Sequence, residues 1–126
     1  MTDELASQVR QLYDSAWSKA SRWHEDLARA ETLLRTHLES DADCLEALTS
    51  LGAILSDSGK HREAVAVLRQ AKSLGSTDAN TYYNLAAALM NVDARGRSSA
   101  PALFARAMKL ETDPRTLRAY FDPQAH

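Results

Sequence analysis

Four histidines, one cysteine and a scatter of serines and carboxylates are the residues with the chemistry to break bonds or hold metal. His24-Glu25 begins like a zinc-protease helix, but the position that needs the second histidine is Ala28. None of His24, His37, His61 and His126 has another histidine four residues away. A metal site would have to be assembled from separate segments, and none is expected. His37 falls on an otherwise apolar helix face, the usual setting of a satisfied core or rim histidine. Cys44 stands alone, which excludes an internal disulfide and a cysteine-rich zinc site. Its acidic neighbours Asp41, Asp43 and Glu46 disfavour a thiolate nucleophile. No serine has a Gly-x-Ser-x-Gly setting, and no glycine-rich strand-to-helix loop exists to cradle phosphate. The expectation is a chain that is not an enzyme and carries no cofactor.

The remaining composition is that of a scaffold. At 126 residues, with 44% apolar and 25% charged side chains, the chain can bury one core without disulfides or metal. Mean hydropathy is -0.41, and no apolar run approaches the roughly 20 residues of a membrane span. The start, Met1-Thr2-Asp3-Glu4, is acidic where a secretory signal is basic, so a cytoplasmic location is expected. A net charge of -2 gives no electrostatic case for nucleic acid. The charge is unevenly divided: residues 1–63 hold 7 Lys+Arg against 12 Asp+Glu, and residues 64–126 hold 8 against 5. That polarity is able to orient an extended ligand or favour head-to-tail association.

Alanine and leucine dominate, β-branched runs are absent, and apolar residues recur at i, i+3, i+4 and i+7, which predicts an all-α fold. The first helix is expected over about Asp3–Arg22, with an apolar stripe of Leu5, Val9, Leu12, Tyr13, Ala16, Trp17 and Ala20. Further helices follow at about His24–Leu38, Leu45–Ser56, Arg62–Leu74, Ala79–Met90 and Ala100–Leu110. The sixth opens with Pro101 in its first turn, where a missing N–H costs nothing. A short last helix is expected at Pro114–Phe121. Gly59 and Gly96 read as turn residues and Gly75 as a left-handed helix stop. Asn91–Ser99, two residues longer than the matching earlier turn, reads first as a tolerated surface insertion; the functional alternative is a mobile basic lip of Arg95 and Arg97 for an acidic partner.

Two stretches repeat each other at about 34 residues. The first is Leu48-x-x-Leu51-Gly52-x-x-Leu55, then Gly59, Ala64, Leu68, Ala71 and Leu74. The second is Tyr82-x-x-Leu85-Ala86-x-x-Leu89, then Gly96, Ala100, Phe104, Ala107 and Leu110. That period belongs to stacked helix–turn–helix units. Small residues at helix crossings let the axes approach closely, and Gly52 with Ala64, then Ala86 with Ala100, are the expected contacts.

These residues resemble the tetratricopeptide repeat. The best match is residues 45–78. Residues 79–114 form a similar repeat with a two-residue insertion, residues 11–44 a degenerate one, and 114–121 the kind of helix that closes such arrays. The resemblance implies a single domain over 1–126, with antiparallel hairpins stacked into a short right-handed superhelix. It also implies a non-catalytic protein–protein interaction module, of adaptor, co-chaperone or assembly-factor type. The first helix of each pair would line a concave groove for a partner's peptide or helix. The groove residues implied are Lys19, Arg22 and Trp23 from the first unit, Glu46, Thr49 and Ala53 from the second, and Asn80, Tyr83, Asn84, Ala87 and Met90 from the third. Tyr83 and Trp23 would serve as aromatic anchors, and Asn84 as a backbone-binding amide. Members that grip chaperone C-termini use paired cations. Here Ser15, Lys19, Ser50, Asn80 and Asn84 stand at those positions, so that partner is disfavoured. The partner expected is another protein, with neither nucleic acid nor membrane. A homodimer through the Trp17/Trp23 helix is the structural alternative.

Overall fold

Thr2 opens the first helix: its hydroxyl accepts the Leu5 N–H at 3.1 Å, and Asp3 and Glu4 follow at the positive end of the helix dipole. The computed structural model describes residues 1–112 and is all-helical there, with no strand. The helix expected at 114–121 lies outside the described residues. In order come α1 (Asp3–Ser18), a 3₁₀ turn (Ala20–Arg22), α2 (Trp23–Ser40), α3 (Leu45–Asp57), α4 (His61–Ser73), α5 (Ala79–Met90) and α6 (Ala94–Thr112). No helix among the described residues is long and apolar enough to cross a membrane.

Three local expectations need correction. Helix α1 stops at Ser18, short of Arg22, because Lys19 is extended (φ -133°) and the Ser18 hydroxyl bonds back to the Asp14 carbonyl. Trp17 is not part of the buried stripe; it is 59% exposed. The supposed loop Asn91–Ser99 is largely helix, because Asp93 caps α6: its Oδ1 accepts the Gly96 N–H at 2.7 Å. The turn before α6 is therefore residues 91–93, the same length as residues 58–60 before α4. The two extra residues lengthen a helix, and Pro101 lies inside it, with its side chain on the exposed face.

Gly59 (φ +82°) and Gly75 (φ +87°) hold the left-handed conformations that only glycine adopts cheaply. Gly96 has a different role from the turn expected of it. It sits buried in α6, where a Cβ would run into the backbone carbonyl of Leu89. Gly52 is likewise a contact glycine, although the space beside it is filled by Leu68 rather than by Ala64. Ala64, Ala86 and Ala100 are all buried.

Each helix packs on the next, and α3 also meets α5 directly. Helix α1 makes no comparable backbone approach to α3. It reaches α3 through side chains: Tyr13 donates to Asp57 Oδ2 at 2.9 Å, and the Met1 nitrogen lies 3.7 Å from Cys44 Sγ. One contact at each end means that α1 and α3 run parallel. Leu27, Leu34, Leu51, Ile54, Leu55, Leu68 and Leu85 form the fully buried centre. Each is worth about 1.5–3 kcal/mol of transfer free energy. Between α3 and α5 runs a buried chain of hydroxyls. Thr49 Oγ1 meets Thr81 Oγ1 at 2.7 Å, and Thr81 meets Ser76 Oγ at 2.8 Å.

Candidate functional site

The residues expected to line the concave groove divide into three groups. Thr49, Ala53 and Asn80 are buried, so they belong to the joint between α3 and α5 rather than to an open surface. Thr49 in particular is consumed by the hydroxyl chain, which satisfies it without any ligand. Tyr83 turns toward α6. Its ring lies tilted against Phe104 at 6.2 Å, and its hydroxyl donates to Glu111 at 2.8 Å. That hydrogen bond to the carboxylate, with help from burial, raises the Tyr83 pKa above the ordinary tyrosine value.

A second group gathers where α1 gives way to α2. Arg22 bridges Glu25 at 3.0 Å and the buried Asp26 at 2.9 Å. The Ser15 hydroxyl and the Arg22 guanidinium hold the Asp26 carboxyl below its usual range despite burial. Trp23 is half-buried and takes the Trp17 ring edge-on at 4.8 Å, while Tyr13 stands 6.1 Å from Trp17. Lys19 remains exposed beside them. The rest of the expected set stays accessible along the parallel helices: Glu46 in the first turn of α3, half-buried Asn84 and Ala87, and Met90 at 46% exposure.

A further concavity lies between α4 and α6. It is a cleft of about 380 Å³. Its apolar floor is Val65 and Ala66 of α4 with Leu89 and Val92 of the α5–α6 junction. Arg62 and Arg69, about two turns apart, enter it from α4, and Arg95 enters from the first turn of α6. None of the three arginines makes an ion pair among the described residues. The one carboxylate in the lining, Asp93, already accepts the Gly96 N–H. No protein-family model matches this sequence, and no curated protein matches it significantly.

Sequence reasoning singled out Arg95 and Arg97 but placed them on a flexible loop. It missed Arg62 and Arg69 altogether. The signal was available: Arg62, Val65, Ala66 and Arg69 sit at i, i+3, i+4 and i+7, one stripe of a helix. An arginine–apolar–arginine stripe reads as a solvated face until a second helix supplies the opposite wall. The chemistry of the cleft is plain. Guanidinium groups donate to carboxylates in bidentate geometry, and the apolar floor takes the alkyl or aromatic part of the same ligand.

Proposed function

We propose that this chain is a non-catalytic protein-interaction module, a short tetratricopeptide-type superhelix, and that it holds an acidic, partly apolar segment of a partner protein in the α4–α6 cleft. What supports the reading is the set of three arginines that form no ion pair among the described residues, around an apolar floor, in a chain whose packing follows a repeated small-and-large pattern. Charge complementarity of this kind sets encounter rate and orientation, and the floor supplies affinity. The concave side, with Asn84, Ala87 and Met90, is the competing surface for the same class of partner.

Affinity capture with the wild type beside Arg62→Glu/Arg95→Glu and Ala87→Glu/Met90→Glu separates the two. All four substitutions fall on exposed or half-buried positions, so helicity by circular dichroism should be unchanged. The expected result is a partner with an acidic segment, lost in the arginine variant alone and weakened by salt. Loss only in the Ala87/Met90 variant would move recognition to the concave side.

A second reading has one observation in its favour. The Tyr13–Trp17–Trp23 aromatic row leaves Trp17 uncovered, which suits self-association through α1. Sedimentation of the wild type against Trp17→Lys tests it: a dimer that dissociates in the variant supports homodimerisation, and a wild-type monomer removes it.

A further inference from the structure

The end of α2 and the start of α3 bring together three donors of different chemistry. His37 lies in the last turn of α2, Asp41 is the residue that ends that helix, and Cys44 precedes α3. Two backbone hydrogen bonds close the turn, Asp41 N–H to the His37 carbonyl at 3.1 Å and Cys44 N–H to the Asp41 carbonyl at 3.2 Å. As a result one nitrogen, one oxygen and one sulfur ligand atom all lie within 4.8 Å of one another. The His37 Nε2 atom is buried and makes no hydrogen bond; its nearest opposite charge is Asp41 Oδ2, at 3.7 Å. An unpartnered buried ring nitrogen is costly, and a bound cation is one way to satisfy it.

We propose that His37, Asp41 and Cys44 form a binding site for a divalent cation of the zinc class, clasping α2 to α3. Imidazole and thiolate together select zinc or cobalt over magnesium and calcium, which prefer oxygen donors alone. Zinc bonds of about 2.0–2.3 Å in tetrahedral geometry need donors closer than these stand, so the side chains draw in by roughly 1 Å on binding. The exposed Asp41 has the freedom to do so. The metal also displaces the contact between the Met1 nitrogen and Cys44 Sγ. Three protein ligands leave a fourth position to water. The site is therefore exchangeable, and it is independent of the arginine cleft. The spacing His-x3-Asp-x2-Cys crosses a helix end and holds a single histidine, so it matches no paired-histidine helix motif.

Titration of the full chain with Co²⁺ under a non-thiol reductant tests the site. One equivalent should bind with a thiolate-to-cobalt charge-transfer absorption, and Zn²⁺ should displace it. Cys44→Ser should abolish the absorption, and His37→Gln and Asp41→Asn should each weaken binding by about tenfold or more. Zn²⁺ should raise the melting temperature of the wild type and leave that of Cys44→Ser unmoved. No charge-transfer band in the wild type overturns the site. So does undiminished affinity in Asp41→Asn, an exposed position where folding is not at risk, since that would leave Asp41 out of the coordination and only His37 and Cys44 to hold the cobalt.

Discussion

The α1–α2 hairpin and the two hairpins of α3–α6 are built alike as helix pairs, yet they are held together by different physics. From α3 onward the joints are close and, apart from the buried Thr49–Thr81–Ser76 hydroxyl chain, apolar. Gly52 yields its side-chain space to Leu68, Gly96 yields its own to the Leu89 carbonyl, and Tyr82 seals the base by donating to the Ser76 carbonyl at 2.7 Å. The α1–α2 end adds to its buried Leu27, Ala30 and Leu34 a larger set of polar contacts: Tyr13 to Asp57, Arg22 to Asp26, and the network joining Glu31, Arg35, Lys60 and Glu63. The exposed pairs among these, such as Arg35 with Glu63, contribute little, typically under about 1 kcal/mol each. Close packing is intolerant of added atoms, whereas a polar joint is tolerant of them but sensitive to pH. The first hairpin should therefore be the weaker and more adaptable part.

Adding a single methyl group to a tight joint is the strongest way to break that contrast. Gly96→Ala should cost about 2 kcal/mol or more in denaturant unfolding, even after the helix-propensity gain of about 1 kcal/mol. Its Cβ meets backbone that cannot move aside. Gly52→Ala should cost slightly less, because Leu68 is a side chain, though a fully buried one. Next comes Thr81→Val, which leaves Thr49 and Ser76 without their shared partner and should cost about 1–3 kcal/mol by the same measurement.

In the polar end the effects are smaller and change with acidity. Burial raises the Asp57 carboxyl above its ordinary 3.8, and the Tyr13 hydroxyl partly opposes that by stabilising the ionised form. Tyr13→Phe should therefore cost about 1 kcal/mol at neutral pH. The gap to wild type should close as pH falls below the folded-state value, where Asp57 is protonated in both proteins and the hydrogen bond favouring its ionised form no longer counts. A gap that widens on acidification would contradict this assignment. Asp26 runs the other way. Its lowered pKa gives stability that is present above 3.8 and lost as pH falls through the folded value. The smallest effect should be Trp17→Ala, within about 0.5 kcal/mol in thermal unfolding, since its ring is mostly in water.

How legible these features were depended on whether neighbours in sequence or neighbours in space decide them. Helix α5 runs from Ala79 to Met90, the span its periodicity predicts, because Asp78 caps it locally and its apolar face repeats cleanly. Gly59 and Gly75 were equally readable, being turns set by their own φ. The start of α6 was not. Pro101 looks like a first-turn residue, and the true cap, Asp93, carries no mark that separates it from a loop aspartate. The burial of Thr49 and Asn80 depends on how closely α3 approaches α5, a tertiary fact outside any single helix. For the same reason the arginine cleft needed two walls before it could be seen.

Every helix here packs on its immediate neighbours in sequence, with α3 and α5 the longest step. Such a chain closes only short loops as it folds, which favours rapid, progressive assembly outward from α3–α5. It also means that one end can open while the rest holds. The α1–α2 hairpin should exchange its amide protons well before the remainder, so that a partner, or a second copy, meets a protein with one unfastened flap.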